Sequence, residues 1–106
     1  MAKLLVTGKY TAEGTKGLIK EGGSKRKAAV EKAIKGLGGK LESIYYAYGD
    51  ADVYVVIDMP DTSSALALSL VVNASGAVHV NTIPLITVEE VDAACKKSVD
   101  YRAAGA

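Results

Sequence analysis

Residues 40–59, "KLESIYYAYGDADVYVVIDM", carry the pattern that decides the fold. Segments 40–48 and 52–59 are rich in β-branched and aromatic side chains, and Gly49-Asp50 between them is turn chemistry. Together they predict a β-hairpin. A half-solvated strand alternates apolar and polar residues, but "VYVVI" (53–57) is apolar on both faces. An even-length turn sorts these residues by setting Tyr48 beside Val53, Tyr46 beside Val55 and Ile44 beside Ile57. Tyr46 and Tyr48 are then core aromatics. The opposite face holds Ser43, Tyr45, Ala47, Tyr54, Val56 and Asp58, and a single chain leaves Tyr45, Tyr54 and Val56 wet.

Upstream, "KLLVTGKY" (3–10) predicts a strand, and "TAEGTKGLIKEGG" (11–23), with four glycines, predicts at best a short, broken helix. From Ser24 to Leu37 the period is helical, with Val30, Ala33, Ile34 and Leu37 on one stripe and Gly36, Gly38 and Gly39 as the stop. Downstream, Pro60-Asp61 opens a helix over about 62–74, and "GAVHVNTIPLI" (76–86) predicts an edge strand because of Pro84. Thr87 and Glu90 form a capping box, with Ile86 and Val91 placed as a hydrophobic staple. The last helix then carries Val88, Val91 and Cys95 on its apolar face, and Lys96 and Lys97 in its last turn. The order is β-α-β-β-α-β plus a C-terminal helix. It predicts an α+β, ferredoxin-like domain spanning residues 1–106: a four-stranded antiparallel sheet with its main helices on one face.

Composition narrows the function. Hydrophobic residues make up 49% and charged residues 24% of the 106, and the formal charge is +1. No global field recruits nucleic acid. The apolar helix 62–74 is too short to span a bilayer, and no membrane association is expected. No signal peptide is apparent at "MAKLLVTGKY". Cys95, the sole cysteine, suits a reducing, cytoplasmic setting and is expected to lie buried and inert. With one His and one Cys no usual zinc site can form, and neither metal nor cofactor is expected.

Residues 62–88 contain no Asp, Glu, Lys or Arg. A helix with no charged face is covered on more than one side. The last helix can cover part of it and a neighbouring subunit the rest. Self-association through the open sheet face, this helix, or both is therefore expected, and the chain's main partner is itself. His79 shares a face with Asn81, opposite Val78 and Val80. With Tyr45 and Tyr54 these four residues are the candidate ligand-binding set, able to orient a small polar or aromatic molecule. "KEGGSKRK" (20–27) puts Lys25, Arg26 and Lys27 on the first turn of a helix that already carries partial positive charge. Gly22, Gly23, Lys25 and Arg26 are thus a candidate anion site, with Glu21 or Glu13 as the simpler remedy for the charge. The spacing of Gly17 and Gly22 resembles a P-loop, but Gly23 stands where the lysine must be. Asp50 and Asp52 read as turn formers.

Three stretches, "GKYTAEGTKGLIKEGG", "GLGGKLESIYYAYGDADVYVVIDMPD" and "GAVHVNTIPLIT", give the chain a resemblance to the GYD-domain proteins, small bacterial proteins of about this length. The family takes its name from a Gly-Tyr-Asp element at the hairpin. Gly49 and Asp52 match it, while Ala51 stands in place of the tyrosine, with Tyr48 and Tyr54 the nearest substitutes. The resemblance implies a ferredoxin-like fold of the kind that pairs open sheet faces into dimeric α/β barrels. It carries over no catalytic residue.

Three functions are consistent with these residues. The first is a small homo-oligomeric binding or accessory protein with a modest small-molecule pocket at a sheet-face interface. The second, by fold analogy with cofactor-independent monooxygenases and isomerases, is an enzyme using His79 as acid or base and a tyrosine as donor, which requires a deep cleft facing His79. The third is a regulatory anion or nucleotide binder built on segment 20–27.

Overall fold

A computed structural model describes residues 2–106. In chain order the elements are β1 (Ala2–Tyr10), α1 (Ala12–Glu21), α2 (Gly23–Gly36), β2 (Lys40–Tyr46), β3 (Val53–Met59), α3 (Thr62–Ala74), β4 (Val78–Pro84) and α4 (Val88–Cys95). The strands form one antiparallel sheet in the order β2-β3-β1-β4. β4 is an edge strand, as Pro84 demands. The architecture is the expected α+β arrangement.

The hairpin keeps the expected parity at a different register. Tyr46 pairs with Val53, Tyr45 with Tyr54 and Ile44 with Val55. This is a slip of two residues, which preserves every facing because the side-chain period is two. Its cause lies outside the hairpin. Asp52 donates its N–H to the Gly8 carbonyl at 2.8 Å, and its own carbonyl accepts the Ala47 N–H at 2.7 Å. Segment 47–52 is therefore a wide loop fastened to β1. Tyr48, expected in the core, projects from this loop fully exposed, and Tyr46, expected there too, is 41% exposed at the core's edge. A bulge between Leu41 and Ser43 makes Glu42 the extra residue, so Leu41 and Ile44 both face the core.

The core is Leu4, Ile34, Val53, Val55, Ile57 and Met59, with Val6, Val30, Leu41, Ala65 and Leu68 packed around it. All three odd-numbered valine and isoleucine positions of β3 are buried under α2 and α3.

The glycine-rich segment 11–23 differs from its expectation. Residues 12–21 form one continuous helix, α1. Thr11 caps it, accepting the Gly14 N–H at 3.2 Å, and donates its own N–H to the Ala77 carbonyl at 3.0 Å and its hydroxyl to the Gly76 carbonyl at 2.8 Å. Gly14 is buried against that carbonyl, where a Cβ would stand 1.7 Å from the oxygen. This glycine serves a close approach of backbone to backbone rather than a helix break. Gly22, at φ +81°, turns α1 into α2 within one residue. α2 ends in a Schellman motif: Gly38 and Gly39 donate to the carbonyls of Lys35 and Ile34, with Gly38 at φ +80°.

α3 starts at Asp61, whose carboxylate accepts the Ser64 N–H at 2.7 Å. Its outer side leaves Leu66, Leu70 and Val71 exposed. α4 does not cover them. The capping box of Thr87 and Glu90 forms as expected, yet α4 packs closely against no other element and every residue from Ile83 to Ala106 is exposed. Cys95, expected to be buried, is exposed for the same reason, and Lys96 and Lys97 fall just beyond the helix. With this arm the molecule measures 56 × 33 × 22 Å. No helix among the described residues is long and apolar enough to cross a membrane.

Candidate functional site

The face of the sheet away from the helices is built in cross-strand rows. Tyr45, Tyr54, Thr7 and Asn81 form one row, in register from β2 through β3 and β1 to β4. Ser43, Val56, Leu5 and Ile83 form the next. Tyr45 is 72% exposed and Tyr54 38%. The charges of this face sit at the strand ends, where Lys3 and Lys9 are paired and Lys40, in register with Asp58, is exposed. Lys3 contacts Glu42 and lies 3.3 Å from Asp58, and Lys9 lies 3.2 Å from Asp52. The centre is thus apolar and aromatic, and the ends are polar.

Of the four candidate ligand residues, Tyr45, Tyr54 and Asn81 share one row, while His79 lies one row away on the edge strand, opposite Lys9. His79 is exposed. The face is open there, and the two cavities of the helix side touch none of the four. Tyr48, the other stand-in for the family's hairpin tyrosine, points into solvent, while Ala51 is half-buried in the loop.

The segment proposed for anions divides. Lys25 is exposed at the start of α2. The Gly22 N–H is committed to the Leu18 carbonyl at 2.7 Å. Gly23 lies against the ring of Tyr46, whose hydroxyl donates to the Gly23 carbonyl at 3.1 Å. Arg26 turns inward: its guanidinium approaches the Glu21 carboxylate at 3.7 Å and borders the space beside Tyr10 and Tyr46.

That space is a cavity of about 160 Å³ between α2, α3 and the sheet. Its floor includes Val6, Ile44, Val53 and Val55, and its roof Val30, Ala33, Ala65 and Leu68. Arg26, Tyr10 and Tyr46 come together at its edge, and Ser69 and Thr82 are the other polar side chains of the lining. Burial pushes the hydroxyl pKa of both tyrosines above 10.0, and for Tyr10 the neighbouring Tyr46 adds to the effect while Arg26 opposes it. A second, more open hollow of about 320 Å³ lies between α1, α2 and α3, and Tyr10 and Arg26 border both spaces. The aliphatic and alanine lining reads in sequence as ordinary core. The alternation of β3 tells which side chains face the helices, not whether the helices fill the space above them. Among the described residues no group of three or more His, Cys, Asp or Glu side chains is placed to hold a metal ion.

The sheet order and one-sided helices define a ferredoxin-like α+β domain with one open sheet face. The model of the GYD domain matches residues 4–95, and the chain belongs to the GYD-domain family. No curated protein and no solved structure matches it.

Proposed function

We propose that the protein is a small homo-oligomeric binding protein whose copies pair through the open sheet face, with a modest small-molecule pocket between them lined by Tyr45, Tyr54, His79 and Asn81. The observation that carries this is the composition of the face: Leu5, Val56 and Ile83 beside Tyr45 and Tyr54 at its centre, with Lys3 and Lys9 paired to carboxylates at the strand ends. An apolar centre within a polar rim is the anatomy of an association surface. Binding is favoured over catalysis because His79 is exposed on an open face, one row removed from the tyrosines. A lone exposed thiol stays reduced in a reducing compartment, which supports a cytoplasmic home. Protein taken from cells as a stable Cys95–Cys95 disulfide dimer would argue against that home.

Light scattering at micromolar concentration tests the association. The expected mass is at least twice the 11.0 kDa of one chain, falling to one chain in Val56→Lys. A wild-type protein that stays monomeric at tens of micromolar sinks the proposal.

A further inference from the structure

We propose that the cavity between α2, α3 and the sheet is a binding site for a small apolar monoanion, a carboxylic acid with a compact aromatic or branched body, whose charged end meets Arg26 and Tyr10. This site lies within one chain, on the opposite side of the sheet from the proposed subunit contact.

Size and lining argue for the apolar body. A cavity of about 150 Å³ lined by aliphatic side chains holds a benzene ring, and this cleft, which opens to solvent past the exposed Ala29 and Ala33, offers about 160 Å³. The room arises because Ala29, Ala33 and Ala65 face the cavity from the helices where larger residues would fill it. A ligand with an apolar body would remove this aliphatic lining from water, which is favourable in proportion to the area covered.

The polar end argues for the charge. Arg26 is half-buried beside two tyrosines, and its guanidinium lies a long 3.7 Å from the Glu21 carboxylate. A guanidinium offers five donors in a fork that matches a carboxylate. Tyr46 already donates to the Gly23 carbonyl. Tyr10 stays protonated at neutral pH and supplies a hydroxyl donor at the same end. Charge, a second donor and an apolar body of ring size therefore converge on one ligand class. The exposed Ala29 and Ala33 in the lining leave the cleft accessible from solvent.

The test is an amide NMR titration with benzoate and with benzyl alcohol, which share shape and differ in charge. Benzoate is expected to shift the amides of Val30, Val53 and Leu68, and to bind about tenfold or more tighter than benzyl alcohol at pH 7. Arg26→Met should bring benzoate down to the level of the alcohol and leave the alcohol unchanged. Ala33→Leu should abolish both, and Ala65→Val, the smaller filling, serves if the first variant does not fold. The monomeric Val56→Lys chain should bind as the wild type does. No shift with either probe at about 20 mM overturns the site. Equal binding of the two probes, or an Arg26→Met protein that still prefers benzoate, overturns the anion. Loss of binding in Val56→Lys overturns a site complete within one chain, whether or not the protein self-associates.

Discussion

The carboxylate of Asp52 accepts the backbone N–H of Tyr10 at 2.9 Å, joining the hairpin loop to the end of β1 across 42 positions of chain. Its other oxygen faces the Lys9 ammonium at 3.2 Å, and its backbone N–H is given to Gly8. Asp52 works here as a clamp between strands.

That clamp has a pH signature. The Tyr10 N–H, then Lys9, hold the Asp52 carboxyl below its ordinary value of 3.8, and the Ser64 N–H and hydroxyl do the same for Asp61 at the start of α3. A carboxyl whose folded pKa is depressed lends stability that is fully present above the unfolded value and lost as pH falls below it. The midpoint of thermal unfolding should therefore drop as pH is lowered below about 4. Asp52→Asn should flatten part of that slope. An unchanged slope in the variant would show that the clamp carries no charge-dependent stability.

The tyrosines give the alkaline counterpart. Tyr10 and Tyr46 are raised above 10.0, chiefly by burial, so the fold favours their neutral forms. Their contribution is complete below the unfolded pKa and is lost as pH rises through the folded one. Absorbance titration at about 295 nm should show a later step that disappears in Tyr10→Phe with Tyr46→Phe. A single transition near the ordinary tyrosine value would contradict the partial desolvation of these two hydroxyls.

Two glycines of one helix should respond with opposite sign. A Cβ at Gly14 meets the Ala77 carbonyl, whereas at Gly17 it meets nothing within 4 Å. Gly14→Ala should cost about 1–3 kcal/mol or more through forced separation of α1 from the start of β4. Gly17→Ala should stabilise by about 0.5–1 kcal/mol through helix propensity alone. Urea unfolding at one fixed protein concentration reads both, and equal effects would mean that α1 does not dock on Ala77.

Core and surface should separate cleanly. Ile34 is 1% exposed against β3, while Ile19 on α1 is 80% exposed. Ile34→Ala should cost about 2–5 kcal/mol, and Ile19→Ala should lie within about 0.5 kcal/mol of wild type. A large loss at Ile19 would reveal that α1 is covered by a neighbour in solution.

The parts legible in sequence were those set by local periodicity and capping. The alternation across Val53, Val55 and Ile57 named the buried face, and Thr87 with Glu90 named the start of α4. The hairpin register was not legible, because the loop length is set by bonds from Asp52 to β1, far away in the chain. The continuity of α1 is hidden for a similar reason: Gly14 looks like a breaker in sequence, and only the fold sets Ala77 beside it. The inward turn of Arg26 was hidden because charge at a helix start reads as a surface feature, and the cavity because three alanines at helical positions look like good helix formers. Cys95 follows α4, and nothing local says that an amphipathic helix will stand apart from its own sheet.

That separation makes the arm a built-in sensor. Leu85 still belongs to the ladder through its N–H to the Lys3 carbonyl, so only Ile86 and Thr87 tether α4 to the sheet. A helix of eight residues falls below the roughly 12–15 needed to persist in water without packing, and its capping box contributes only about 1 kcal/mol. Its winding and fraying are therefore governed by whatever surface lies next to it. The chain's one thiol sits at the last residue of that helix, so a fluorine or spin label on Cys95 would signal when the arm gains company, in an otherwise unaltered protein.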